Sequence, residues 1–174
     1  MRRLVLWVPL VVFAGLLALT IHGLRRPADR TIWSRMVGQT VPDFTAPAML
    51  PGRSGVASAG LRGRPRLINV FASWCIPCAA EAPQLAALRR QGVEIDGLAV
   101  RDTPAAVTAF LARYGDPYRA IGDDREARAQ LALGSSGVPE SFVIDSSGRI
   151  VSQHVGDIRA DDVPALVAAV RRAS

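Results

Sequence analysis

The two cysteines of this 174-residue chain, Cys75 and Cys78, stand close together in "FASWCIPCAAEAP", directly after an apolar run. Three chemistries use such a pair: a structural bridge, a metal clamp, and reversible exchange of electrons with other thiols. A bridge closing so short a loop removes little entropy from the unfolded chain. A structural zinc site needs about four Cys or His ligands, and only His22 and His154 could join the cysteines. Redox exchange needs nothing beyond the pair itself.

That chemistry asks for a strand that delivers the pair to the start of a helix. "RLINVFA", residues 66–72, is nearly continuous in apolar residues, as a strand buried on both faces should be. From Cys75 to Arg90 the apolar positions Ile76, Ala79, Ala82, Ala86 and Leu88 keep a roughly helical period, closed at Gly92. Cys75 then sits at the helix N-terminus, where unpaired N–H groups and the helix dipole favour a thiolate able to attack a partner disulfide. Cys78 lies one turn deeper on the same side, ready to attack the mixed disulfide and release the partner. Pro77 falls in the first turn, where no intrahelical bond is lost, but Pro83 lies inside the helix and removes one.

The rest of the sequence supplies a scaffold. Residues 93–100 read as a strand, 103–115 as a helix with Thr103 as N-cap and Pro104 at its first position, and 124–133 as another helix. "SFVID" and "RIVSQHV" flank "SSG" as a hairpin, and residues 161–172 form a closing helix capped by Asp161 or Asp162. Pro and Gly at turn spacing over residues 41–65 suggest a small hairpin before the first long strand. Alternating strands and helices followed by an antiparallel hairpin predict an α/β fold, a mixed central sheet flanked by helices.

The uncharged run between Arg3 and Arg25 has the roughly 20 residues a helix needs to cross a bilayer. It predicts an uncleaved N-terminal membrane anchor over residues 1–24, a linker over 25–37 and a domain over 38–174. A cleaved signal ending at "ALT", residues 18–20, is the competing reading. Arginines flank both ends of the run, and counted literally they favour a cytoplasmic domain. The net charge of +6 belongs mostly to these flanks, so no nucleic-acid surface is indicated. All basic residues are Arg, which excludes Schiff-base and lysine general-base chemistry.

"NVFASWCIPCAAEAP" resembles the thioredoxin active-site segment of membrane-tethered members, with Trp74 before the first cysteine, Pro83 after the second, and Asn69 where thioredoxins carry a buried Asp. "LGSSGVPESFVIDSSGRIVSQHVGDI", residues 133–158, is similar to the corresponding block of the DsbE/CcmG thiol:disulfide interchange proteins, and "VRDTPAAVTAFLARYGDPY" also fits their pattern. The resemblance implies a thioredoxin-like fold. It also implies that Cys75 is the attacking thiol, Cys78 the resolving one, and Pro139 a cis-proline facing them and presenting backbone to a partner peptide. Trp74, Ile76, Pro77 and Val138 make up the surroundings, and Glu140 is the acid that tunes the thiols, since a nearby carboxylate disfavours a thiolate. Glu81, one turn beyond Cys78, is a second candidate; for both acids a solvated surface position is the alternative. Ser135 and Ser136 depart from the larger apolar or aromatic residues usual there. His154, Trp33, Tyr114 and Tyr118 read as structural.

The resemblance further implies a reductant of protein disulfides in c-type cytochrome maturation, held at the inner membrane with its domain on the periplasmic side. Its electrons would come from a membrane thiol:disulfide transporter and go to apocytochrome c or a maturation protein, with no small cofactor besides the Cys75–Cys78 disulfide. The cysteines of a C-x-x-C-H haem site must be thiols before they bond to haem, and in an oxidising compartment they pair. Three other readings stay open: a reductant for a copper-site cysteine pair, a Cu(I) carrier, and a peroxidase of the same broad fold.

Overall fold

Side chains that alternate across a central strand decide the layering of this protein, whose computed structural model describes residues 7–25 and 36–173. The chain divides into two compact units, residues 1–30 and 31–174. The first carries helix α1 (Val8–Arg25), with Val11, Phe13, Leu16 and Leu19 exposed. Its 18 residues reach about 27 Å at the α-helical rise, short of the roughly 30 Å hydrocarbon core, and His22 and Arg25 occupy its end. Among the described residues no helix is long and apolar enough to cross a membrane. The span expected over residues 1–24 is corrected to this shorter apolar helix. Residues 1–6, most of the expected linker (26–35) and Trp33 lie outside the described residues.

The second unit opens with a two-stranded antiparallel ribbon, β1 (Thr45–Ala46) and β2 (Val56–Ala57), the small hairpin expected there. Five longer strands follow: β3 (Arg66–Phe71), β4 (Ile95–Val100), β5 (Ala120–Asp124), β6 (Glu140–Ile144) and β7 (Ile150–Val155). They form one mixed sheet in the order β5-β4-β3-β6-β7. β3 pairs in parallel with β4 and antiparallel with β6, so it is central, and all six of its residues are buried.

Because β3 alternates, Leu67, Asn69 and Phe71 face one side and Ile68 and Val70 the other. On the first side α2 (Ile76–Arg90), α3 (Pro104–Tyr114) and α5 (Val163–Arg172) contribute Leu85, Leu88, Val107, Phe110 and Leu166 to a core with Leu67 and Phe71. On the second side the ribbon, the short α4 (Arg128–Ala132) and the residue that ends it bring Val56, Ala129 and Leu133 against Ile68, Val70 and Phe142. Asn69 is thus the one polar residue of β3 pointed into the α2 layer.

One stretch departs from expectation. Residues 120–124 form β5, and the helix expected over 124–133 shrinks to α4. Ala127 adopts φ 59°, a left-handed conformation that no helix continues through. The Asp124 carboxylate instead accepts hydrogen bonds from Ala129 N and Gln130 N, capping the shortened helix from outside it. α5 begins at Val163, and Asp162 accepts from Arg159 N at 2.8 Å, so its cap serves the turn before the helix.

Candidate active site

The parallel pairing of β3 and β4 brings their C-terminal ends side by side, where ligands meet α/β sheets. Just past β4, the buried Asp102 accepts from Ser73 N (2.5 Å), Ser73 Oγ (2.8 Å) and Thr103 N (2.8 Å). One carboxylate therefore fixes both the turn after β3 and the start of α3. Trp74 Nε1 donates to Arg101 O at 3.2 Å, which leaves the indole exposed beside the turn.

Cys75 is the N-cap of α2, its Sγ accepting from Cys78 N at 3.2 Å. The two cysteines are joined by a disulfide with an S–S distance of 2.07 Å. Both are buried, whereas the intervening Ile76 is 84% exposed, giving a small apolar lip with Trp74. Pro77 lies in the first turn, as expected, and α2 continues through Pro83.

The strand register brings the second motif to the first. Val70 pairs with Glu140, so the antiparallel run places Val138 and Pro139 opposite the chain leaving β3 toward Cys75. The Val138–Pro139 peptide bond is cis, and Val138 packs against the core that contains both cysteines. Glu140 is buried, not solvated: its carboxylate accepts from Ser136 N (3.0 Å), Ser136 Oγ (2.5 Å) and Gln153 Nε2 (3.0 Å). Ser135 Oγ donates to Gly137 O, and Gln130 Nε2 donates to both Ser135 Oγ and Gly137 O. The two serines that stood out in the sequence thus pin the loop ahead of Pro139. Between this loop and Trp74 lies a cleft of about 280 Å³, lined also by Arg101, Leu131 and Val138.

Glu81 is the residue the sequence undervalued. It is fully buried on α2, one turn past Cys78 and on the same side. Oε1 accepts from Asn69 Nδ2 at 2.9 Å and Oε2 from Ile158 N at 3.0 Å. Burial pushes its ionisation up to about 7, with Asp157 adding to the rise, and the two hydrogen bonds oppose it. Asn69 is in turn held by Tyr118, whose hydroxyl donates to Oδ1 at 2.7 Å, while Nδ2 also donates to Ser141 Oγ at 3.1 Å. The available signal was Asn69 itself, a polar side chain in a strand otherwise buried, which must find partners. A disulfide at a helix N-terminus beside a carboxyl that titrates near neutrality is equipped to exchange two electrons and a proton.

A redoxin family model matches residues 36–170. The thiol:disulfide interchange protein HelX of Rhodobacter capsulatus is 33% identical over 162 residues, covering 92% of this chain and 92% of that protein. DsbE of Pseudomonas fluorescens biotype C is 38% identical over 159 residues, 91% of this chain and 88% of its own. Among solved structures, a thiol:disulfide interchange protein of the thioredoxin family from Chlorobium tepidum superimposes with a TM-score of 0.62 at 28% identity, over 80% of this chain and 97% of that one.

Proposed function

This chain belongs to the redoxin family and, within it, to the thiol:disulfide interchange proteins of the DsbE and HelX kind, and from that premise we propose that it reduces protein disulfides during c-type cytochrome maturation. The carrying observation is the Cys75–Cys78 disulfide at the start of α2 with Glu81 buried one turn behind it. In the reduced protein the Cys75 thiolate attacks one sulfur of the partner disulfide. That bond breaks, a Cys75–partner disulfide forms, and the partner's other sulfur leaves as a thiolate. Cys78 gives its proton to Glu81 and attacks Cys75 Sγ, which expels the partner's second thiolate and restores the disulfide seen here. Two electrons pass to the partner, and a dithiol donor in the membrane returns them by the same exchange run in reverse.

The partner's segment lies in the cleft between Trp74 and the loop before Pro139, whose backbone groups serve as its hydrogen-bonding edge. Apocytochrome c, or a maturation protein that hands its thiols on, is the acceptor, and the resemblance noted in the sequence is the support for that choice. No small cofactor takes part. The N-terminal segment attaches the domain to the periplasmic face of the inner membrane. The exposed apolar side chains of α1 support this attachment, since contiguous apolar surface in water marks an interaction site.

Covalently bound haem c in a strain lacking this chain, complemented by wild type or by Cys75→Ala, is the test. Loss of haem c restored by wild type alone is the expected result. Unchanged haem c in a strain without a redundant reductant refutes the assignment and turns the search to other disulfide substrates, a copper-site cysteine pair first.

A further inference from the structure

Four buried polar side chains, Tyr118, Asn69, Glu81 and Ser141, form one connected network inside a layer that is otherwise apolar. Tyr118 reaches it from the segment entering β5. Its ring stacks on Phe71 with centroids 4.7 Å apart, over Gly97. A Cβ at Gly97 would stand 2.8 Å from Phe71 Cε1 and 3.0 Å from Tyr118 Cδ1, so the backbone of β4 is cleared for this ring. The hydroxyl it delivers stays protonated, because burial pushes its ionisation well above the ordinary tyrosine range, and it donates to Asn69 Oδ1 at 2.7 Å.

The hydrogen bond from Tyr118 goes with one orientation of the Asn69 amide. Oδ1 accepts from Tyr118, and both Nδ2 hydrogens are left for Glu81 Oε1 and Ser141 Oγ. Turned the other way, the amide would set its oxygen toward Glu81 and favour the protonated acid. We propose that Tyr118 and Asn69 are positioning residues for Glu81, the phenol locking the amide so that an N–H faces the carboxylate and holds it ready to accept a proton. The inference rests on the reading of Glu81 as proton acceptor for Cys78. The groups facing Glu81 are Asn69 on β3, Tyr118 before β5, Asp157 and the Ile158 N–H on the loop before α5, and Cys78 on its own helix.

The test is the titration of the Glu81 carboxyl carbon by NMR in the oxidised full-length protein in detergent, its resonance assigned by its absence in Glu81→Gln. Tyr118→Phe keeps the ring and removes the hydroxyl. It is expected to raise the midpoint by about one pH unit, a tenfold change in the ratio of protonated to ionised acid. Ser141→Ala leaves the amide facing the same way and is expected to titrate like wild type. A wild-type midpoint in Tyr118→Phe, or an equal rise in Ser141→Ala, overturns the proposal. Should Tyr118→Phe not fold, wild type decides: the Asn69 side-chain N–H resonances must shift with the Glu81 midpoint, and stationary ones overturn it. A second arm follows release of glutathione from a mixed disulfide at Cys75 against pH. If that profile tracks the Glu81 midpoint in each variant, both readings stand. If it ignores a midpoint that Tyr118→Phe has moved, the positioning role stands and the proton-acceptor reading of Glu81 falls.

Discussion

Replacing Glu81 by Gln removes a carboxyl that folding makes harder to ionise, and the consequence is a pH-dependent change in stability of known sign. In the unfolded chain this acid ionises near 4.5, and in the fold near 7, chiefly because burial strips its water. Below the lower value it is neutral in both states and contributes no pH dependence. Between the two the unfolded chain sheds its proton while the folded one keeps it, so wild type loses stability as pH rises; above the upper value the loss is complete. The size of the loss follows from the gap between the two ionisations and comes to about 3 kcal/mol.

Gln is nearly isosteric and never ionises, so its curve lacks this slope. It cannot accept from both Asn69 Nδ2 and Ile158 N with one oxygen, which costs about 1–3 kcal/mol at every pH. That constant offset moves the curve without tilting it. Urea unfolding of the oxidised protein from about pH 4 to about pH 8 is expected to show Glu81→Gln gaining on wild type by about 3 kcal/mol across the interval. Because other groups, such as Asp145 with its lowered ionisation, titrate alike in both proteins, the difference isolates Glu81. Parallel curves would refute the argument, since they would mean that the carboxyl pays no desolvation cost.

Two further substitutions probe the scaffold. Gly97→Ala pushes a methyl into Phe71 and Tyr118 and is expected to destabilise by about 1–3 kcal/mol in urea unfolding, as overpacking of a filled core does. Asp96→Ala leaves Arg66, which it holds at 3.2 Å, buried and unpaired, and is expected to cost about 3–5 kcal/mol; the other partner, Arg119, is far more exposed and adds little. A midpoint unchanged by Asp96→Ala would mean that Arg66 finds water instead.

The legible parts of this protein were those whose signal is local. Cys75, Cys78, Pro77 and the apolar run before them lie within one strand-to-helix junction, and that junction folds as its sequence reads. β5 was hidden because "AIGDD" carries a Gly and two Asp, residues that rarely favour strands. It persists because Gly122 leaves room for Ala46, where a Cβ would lie 2.6 Å away, a contact made across 76 residues of chain that no window of sequence displays. Glu81 was undervalued for the same kind of reason. On a weakly amphipathic helix a lone Glu reads as solvated, and the partners that bury it come from Asn69 and from Ile158, 77 residues downstream. Asn69 carried the missing information in compressed form. A polar side chain inside a fully buried strand must be answered by others, so its presence announces a network without naming its members. Here the members come from β3, α2, the segment before β5 and β6, and only Glu81 shares a helix with the redox pair, so no single stretch of sequence displays the network.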